Sequence, residues 1–395
     1  MTSQLVLFGP QIEEINSALS PDEREDRVMQ LLCRHLNMKT VIAFIGAGCS
    51  AAIGYPDWEG FTNQIIAKVE ESLADKQRTD KSNEYHIARD RDRLKSFSTE
   101  NRSIEEAAKV RRYVRSDLTY LVVLEECDKI LQKYKINENV RDIVTNLFES
   151  EWNRNAKRAA NRVHNPYEIL MGLPIKRFVT TNYDSEIREA LKTKRGVSES
   201  ELNKKVFTQS EKHTEQFSLY PLARVKESEN LVFHCHGSLC EKETMIITED
   251  HYQEQYLKEY SHGEEFRQTL DLMFTSNPIL FIGYGLGDED LMRWLRKIKA
   301  NRPDAPYRNP IFVIVERWHK GDTPSQAELE REENKYRSYY LRYGLHVIPI
   351  DIKDKEYKNE SQARGQALCR KLKEIKTNWR QWWSGIQEKP KFRKS

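Results

Sequence analysis

An apolar run that ends in a glycine turn, residues 41–50, constrains the fold of this chain more than any other segment. Its first half, Val-Ile-Ala-Phe-Ile, is typical of a strand buried on both faces. Its second half, Gly-Ala-Gly-Cys-Ser, predicts a tight turn that leads into a helix, where backbone N–H groups approach phosphates. The segment predicts an α/β fold with a nucleotide diphosphate site. A turn without a ligand stays an alternative, because the third glycine of the dinucleotide fingerprint falls at Ala51.

Strand-like apolar runs alternate with helical patterns along the chain. The strand candidates are residues 41–45, 177–181, 231–235, 279–283, 310–315 and 345–350. The helical patterns lie at 59–73, 184–192, 288–300, 325–342 and 361–385. This alternation predicts a Rossmann-like, doubly wound, mostly parallel sheet of six strands with a helical insertion domain. Ligands bind such sheets outside the carboxyl ends of the strands.

Three regions follow from the pattern. Residues 1–40 are expected to form an N-terminal helical arm, with Ser20-Pro21 as a helix start. Residues 41–350 form the Rossmann domain, interrupted by a helical insertion at about 70–170. Within it, residues 74–103 are almost wholly polar, which indicates a solvated helix or a disordered segment. Residues 351–395 form a C-terminal helix and a basic tail.

The composition excludes several classes of protein. Charged residues make up 32% of the 395 residues, and the net charge is only +3. The mean hydropathy is −0.77, and no apolar run reaches the roughly 20 residues that cross a bilayer. We therefore expect no membrane partner, no direct nucleic-acid binding and, because the N-terminus resembles no secretory signal, a cytoplasmic location.

The six cysteines form no Cys-X-X-Cys pair, so no zinc ribbon and no bound metal is expected. In a cytoplasmic chain they are most simply reduced thiols. The run His234-Cys235-His236 resembles a metal cluster. However, successive side chains of a strand point to opposite faces, so these three cannot hold one ion.

Compact polar groups and glycines follow three other strand candidates. The segments are Thr-Thr-Asn-Tyr-Asp at 180–184, His-Cys-His-Gly-Ser at 234–238, and Gly-Tyr-Gly-Leu-Gly-Asp at 283–288. Each has a local explanation: Asn182, Asp184 or Asp288 would cap a helix, and His236 would be a core histidine. Their joint occurrence at successive strand ends of one sheet instead indicates a ligand site.

In this order the motifs resemble those of the sirtuin (silent information regulator) superfamily. The matching segments are GAGCS (46–50), GYPDW (54–58), TTNYD (180–184), HG (236–237) and GYG (283–285). The resemblance covers residues 41–60 and 175–300 well and the helical insertions hardly at all. It implies a sirtuin-like NAD-binding Rossmann domain that uses NAD⁺ as its substrate.

Three departures from the family refine this expectation. The chain lacks the cysteine pairs of the sirtuin zinc module, Glu59 replaces the family arginine, and Gly-Tyr-Gly replaces Gly-Thr-Ser. The chain is therefore more similar to the zinc-free bacterial antiviral branch, whose members hydrolyse NAD⁺ on infection. That resemblance implies an NAD⁺ glycohydrolase of anti-phage defence, a homo-oligomer, and a partner of the HerA-type hexameric ATPase class.

The resemblance also assigns roles to residues. Asn182 would orient the attacking water, and His236 would accept a proton from that water or from a ribose hydroxyl. Binding roles fall to a larger set: the diphosphate to Gly46, Ala47, Gly48 and Ser50, the nicotinamide pocket to Asp57 and Trp58, a carboxamide or ribose hydroxyl to Asp184, and the adenosine side to Gly283 and Gly285.

Three alternatives stay open. The same groups would serve an NAD or ADP-ribose sensor that regulates a partner ATPase, in which His236 is dispensable. An NAD-dependent protein deacylase would release nicotinamide only with an acylated lysine peptide. A dehydrogenase needs an acidic residue at a strand end about 20 residues beyond the glycines, whereas Glu70 and Glu71 fall within a helical pattern.

Overall fold

Seven parallel strands form one sheet within the part of the chain that the computed structural model describes. The described residues are 20–98, 120–152, 165–208, 230–256, 263–285, 295–296, 298–300, 309–319, 325–353 and 360–387. The strands are β1 (Ile42–Ile45), β2 (Arg177–Thr180), β3 (Val206–Thr208), β4 (Leu231–His234), β5 (Ile279–Ile282), β6 (Ile311–His319) and β7 (Leu345–Lys353). Their order is β3-β4-β2-β1-β5-β6-β7, and each neighbouring pair is parallel.

The predicted fold class is confirmed, but the predicted count of six strands is wrong. The seventh strand, β3, pairs only with β4 at the edge of the sheet. It has three residues, two of them partly exposed, and it lies in the charged segment 193–229. A strand this short at an edge shows no continuous apolar run, which is the pattern that identified the other six.

Helices connect the strands. In chain order they are α1 (Pro21–Asn37), α2 (Ala47–Ala51), α3 (Trp58–Thr79), α4 (Glu84–Lys95), α5 (Tyr120–Lys133), α6 (Val140–Leu147), α7 (Pro166–Met171), α8 (Glu186–Arg195), α9 (Glu199–Lys205), α10 (Glu249–Tyr256), α11 (Gly263–Ser276), α12 (Gln326–Tyr343) and α13 (Glu360–Gln387). A π-helical turn, Phe148–Trp152, continues α6. Among the described helices, none is long and apolar enough to span a membrane.

Both faces of the sheet are covered by apolar side chains. Along β1, Ala43 and Ile45 join one hydrophobic cluster, whereas Ile42 and Phe44 join a second. Alternate side chains of a strand point to opposite faces, so the continuous apolar run is required by burial on both sides. The first cluster also contains the buried apolar residues of α3, α5 and α6. These helices, of which α5 and α6 lie within the predicted insertion, therefore share their core with the sheet.

The described parts of the predicted arm and insertion are helical. Ser20 caps α1 in a capping box: its Oγ accepts from the N–H of Glu23, and its own N–H donates to the Glu23 carboxylate. In the polar segment 74–103, α3 continues to Thr79 and α4 follows from Glu84. Residues 1–19, the basic tail and Asp288 lie outside the described residues.

Candidate active site

Four of the predicted motifs begin at one edge of the sheet. Ile45 of β1 is in register with Thr180 of β2 and Ile282 of β5, and Thr180 is in register with His234 of β4. The segments that follow these residues therefore leave the sheet side by side. The strand order reverses here, because the chain passes from β1 to β2 on one side and later to β5 on the other. Doubly wound sheets bind their ligands at this position.

The turn after β1 packs backbone to backbone against the end of β5. The N–H of Gly46 donates to the carbonyl of Ile282 at 2.9 Å, and the N–H of Gly48 donates to the carbonyl of Gly283 at 2.8 Å. A Cβ at Gly46 or Gly48 would lie 2.6 or 2.8 Å from that Gly283 oxygen. Gly283 itself has a φ of +62°. Close packing of two strand ends thus requires these glycines, independently of any ligand.

The residues after β1 and β5 differ in how far they are exposed at the surface. Gly48 is exposed, and Ala47 is half-buried at the start of α2. Gly285 is exposed as well, and a Cβ there would meet no atom within 4 Å. Tyr284 packs edge-on against Phe44, with ring centroids 5.6 Å apart. Gly285 is therefore the one glycine of the predicted site among the described residues whose Cβ would enter open space.

Asp57 and Trp58 mark the start of α3. A carboxylate oxygen of Asp57 accepts from the N–H of Gly60 at 2.9 Å, so Asp57 is the N-cap. The half-buried Trp58 packs edge-on against Phe61, with ring centroids 5.4 Å apart. These contacts give both residues a local structural role, and their predicted place beside nicotinamide stays a prediction.

The orientation of the Asn182 side chain is fixed by its neighbours. Its Nδ2 lies 3.0 Å from the carbonyl oxygen of Gly46, 2.8 Å from Ser50 Oγ and 3.1 Å from Tyr167 Oη. A carbonyl only accepts hydrogen bonds, so the group facing Gly46 must be the amide NH₂. The amide oxygen Oδ1 is then the atom of Asn182 that can accept a hydrogen bond from a ligand or water.

Ser50 and Asp184 complete a buried hydrogen-bond chain. Ser50 Oγ donates to Asp184 Oδ2 at 2.6 Å and lies 2.7 Å from Tyr167 Oη. Because the single Ser50 proton goes to Asp184, the Tyr167 hydroxyl is the donor toward Ser50. The second carboxylate oxygen, Oδ1, accepts from the N–H of Glu186 at 3.0 Å. The hydroxyl of Ser50 and both oxygens of Asp184 are thus bound to protein groups.

Burial raises the pKa of Asp184, and the hydrogen bonds from Ser50 and from the N–H of Glu186 act in the opposite direction. Asp184 is only 4% exposed. Its predicted contact with a carboxamide or a ribose hydroxyl stays a prediction, because in this arrangement its carboxylate faces the protein.

Tyr167 contacts two predicted site residues, Ser50 and Asn182, and the sequence motifs did not reveal it. It lies in the first turn of α7, where Asn165 caps the helix and Pro166 occupies the first position. The Asn-Pro pair identifies a helix start, but nothing local indicates that the tyrosine reaches a turn that lies more than 100 residues away along the chain.

His236 lies on the loop that follows β4 and is 8% exposed. Its ring is edge-on to Tyr252 at 6.3 Å, and its carbonyl accepts from the N–H of Ile246 at 2.9 Å. The next residue, Gly237, has a φ of +83°, and a Cβ there would lie 2.2 Å from the Thr244 carbonyl oxygen. The loop backbone thus fixes the position of His236.

His234 links this loop to Asn182. Its Nδ1 lies 2.9 Å from the backbone carbonyl of Asn182, so Nδ1 carries the proton and donates. Burial lowers the pKa of His234 to about 4, and the ring is neutral at pH 7. Asn182 and His236 therefore belong to two adjacent strand ends that are held together by a buried imidazole.

No group of His, Cys, Asp or Glu side chains suited to a metal ion occurs among the described residues. Five of the six cysteines are buried and Cys240 is exposed, and none forms a disulfide.

Comparison with known proteins gives a family match and several similar proteins. Residues 176–341 match the family described as the SIR2-like domain. Three proteins named NAD(+) hydrolase ThsA are similar to the chain: it is 26% identical to that of Acinetobacter baumannii over 225 residues, 25% to that of Enterococcus faecium over 233, and 22% to that of Bacillus cereus over 227. Each match covers 56% of this chain and 42–44% of the relative. The chain thus spans less than half the length of the curated relatives that it matches.

Proposed function

We propose that the chain is an NAD⁺ hydrolase that cleaves the bond between nicotinamide and ribose and releases nicotinamide and ADP-ribose. The observation that carries the proposal is the meeting of the β1, β2, β4 and β5 ends at the position where the strand order reverses. The similarity to a SIR2-like domain and to proteins named NAD(+) hydrolase supports the choice of substrate.

The reaction does not require a strong general acid from the protein. In NAD⁺ the nicotinamide nitrogen is cationic, so the base leaves with the electron pair of the C–N bond and needs no strong acid. The ribose carbon becomes an oxocarbenium-like centre, as in glycoside hydrolysis. The oxygen of a water molecule then bonds to this carbon, and the water loses a proton. The site must hold the substrate and orient that water.

In this proposal Asn182 orients the attacking water and His236 acts as the general base. The NH₂ group of Asn182 is bound to Gly46 and to the Ser50–Tyr167 pair, so its Oδ1 accepts a hydrogen bond from the attacking water. His236 accepts the proton that the water loses. Two features favour this pair: they leave adjacent strands, and the His234 ring connects those strand ends.

Binding of the dinucleotide is assigned to the exposed rim of the same edge. The diphosphate is assigned to the 46–48 turn, where Gly48 is exposed and the half-buried Ala47 begins α2. Adenosine lies beside Gly285, where a side chain would otherwise occupy the space. Asp57 and Trp58 border the nicotinamide side.

The biological setting is part of the proposal. The motif resemblance supports an NAD-depleting effector of anti-phage defence in the cytoplasm, acting as a homo-oligomer with a HerA-type ATPase. Light scattering of the purified chain tests the oligomer, and the rate of NAD⁺ loss with and without an added HerA-type ATPase tests the partner.

Product analysis of His236→Ala and Asn182→Ala tests the site. Removing a positioned general base typically costs about 10²–10⁴-fold in rate, so each variant should nearly abolish nicotinamide release while staying folded. His86→Ala is the matched control, because this histidine is exposed on α4, within the insertion. Wild-type turnover in both site variants would refute the assignment.

The same assay separates the alternatives. Hydrolysis requires only water, so nicotinamide release that depends on an acylated lysine peptide would instead identify a deacylase. Tight NAD⁺ binding without nicotinamide release, measured by calorimetry with product analysis, would identify a sensor.

A further inference from the structure

We infer that Tyr167 is a positioning residue for the proposed reaction: its hydroxyl orients the Ser50 hydroxyl and, through Ser50, holds the Asn182 amide in the orientation that presents Asn182 Oδ1 to water. This inference rests on the proposed function for its kinetic consequence and on hydrogen-bond geometry for its structural one.

The number of protons and acceptors around Ser50 shows which hydrogen bond the Tyr167 hydroxyl makes. Asn182 Nδ2 has two protons and lies near three acceptors: the Gly46 carbonyl, Ser50 Oγ and Tyr167 Oη. Ser50 Oγ donates to Asp184 and can accept two hydrogen bonds. The Tyr167 proton fills one of these places and an Asn182 proton fills the other. Every hydrogen-bonding position of the Ser50 hydroxyl is thereby used, and the Ser50 rotamer is fixed.

The surroundings of Tyr167 prevent water from replacing the hydroxyl. Tyr167 is 0% exposed, and Ser50 and Asn182 are 4% and 8% exposed. Its helix, α7, is held by Arg195, whose Nε donates to the Met171 carbonyl at 3.2 Å and whose Nη2 donates to the Leu173 carbonyl at 2.9 Å. The hydroxyl therefore occupies a fixed point, as a positioning group must.

The location of Tyr167 also connects the helical insertion with the chemistry. The tyrosine belongs to the last helix before β2, whereas Ser50 and Asn182 follow β1 and β2. A displacement of α7 would move the hydroxyl away from Ser50 and Asn182.

Substitution Tyr167→Phe removes only the hydroxyl, because the buried ring is retained. We expect kcat for NAD⁺ hydrolysis to fall about tenfold and KM to change less than about twofold, since a small misplacement of a reacting group lowers the rate steeply without loss of binding contacts. The matched control is Tyr134→Phe. Tyr134 is also buried in the insertion, and its hydroxyl donates to Asp90 at 2.8 Å, away from the strand ends. It should change thermal stability by a similar amount and leave kcat unchanged.

Each outcome decides the inference. A selective loss of kcat in Tyr167→Phe supports it, whereas an unchanged kcat, or an equal loss in Tyr134→Phe, overturns it. Ser50→Ala removes the oxygen between Tyr167 and Asp184 and serves if Tyr167→Phe does not fold: a lower kcat supports the inference and wild-type kcat overturns it.

Crystal structures separate failure of this inference from failure of the proposed function. If the wild-type chain releases no nicotinamide, the proposed function fails and the structures alone decide. An Asn182 amide that has rotated away from the Gly46 carbonyl in Tyr167→Phe, but not in Tyr134→Phe, supports the inference. An amide that keeps its wild-type position overturns it.

Discussion

Substitution of Gly283 by alanine tests whether the glycine at the end of β5 is structural. An alanine at a φ of +62° costs about 1–2 kcal/mol in backbone strain. Its Cβ would also lie 2.5 Å from the backbone nitrogen of Cys49 and 3.0 Å from the carbonyl carbon of Gly48. Both neighbours are backbone atoms, so α2 must shift, which adds about 1–3 kcal/mol of overpacking. We expect the free energy of unfolding to fall by about 2–5 kcal/mol.

Gly285→Ala is the matched control for this experiment. A Cβ at Gly285 meets nothing within 4 Å, so the free energy of unfolding should stay within about 0.5 kcal/mol of wild type. Urea denaturation followed by tryptophan fluorescence measures both variants. Equal stabilities for Gly283→Ala and the wild type would refute the packing argument. If Gly285 borders adenosine as proposed, Gly285→Ala should raise KM for NAD⁺ in a fully folded protein.

Three other predictions depend on which titratable side chains are buried and which are exposed. Burial lowers the pKa of His234 and of His346 to about 4 in the folded chain. As the pH falls, these histidines therefore take up protons in the unfolded chain before they do so in the folded chain. Stability that is present above pH 6.5 is lost as the pH falls toward 4. Each histidine should cost about 2 kcal/mol at pH 5; a melting temperature that is constant from pH 7.5 to pH 5 would contradict this. Asp184→Ala leaves the Ser50 hydroxyl and a backbone N–H without their acceptor, so the unfolding free energy measured in urea should fall by about 2–5 kcal/mol; a change below about 0.5 kcal/mol would argue against the hydrogen-bond chain. Cys240 is the one exposed cysteine, so a thiol reagent should label one equivalent rapidly in the native protein and the remaining five only on unfolding.

Local sequence signals predicted most of the sheet. Strands buried on both faces are predominantly apolar, although β2 and β4 also bury Arg177, Thr180 and His234. The apolar run is visible in residues 41–45 or 279–283 without knowledge of the fold. The capping box at Ser20 is likewise local, because both of its hydrogen bonds lie within one turn. The edge strand β3 escaped prediction because a partly exposed strand of three residues carries no such signal.

The candidate site was likewise predicted from the sequence only in part. The motifs at the ends of β1, β2, β4 and β5 were identified in the sequence, because strand ends in an α/β sheet follow a topological rule. The sequence could not distinguish glycines that make room for a ligand from glycines that make room for another backbone segment. The distances around Gly48 and Gly283 show that these two glycines make room for each other's backbone.

The order of apolar runs, turns and polar strand ends thus determined the fold class and the edge of the sheet where we propose the site, since each signal depends on neighbours a few residues apart. Tertiary structure alone decided that Tyr167 and His234 hold the Asn182 segment and that Ser50 and Asp184 bind each other. Such contacts join residues that are distant in the chain, and their hydrogen bonds depend on packing rather than on local sequence.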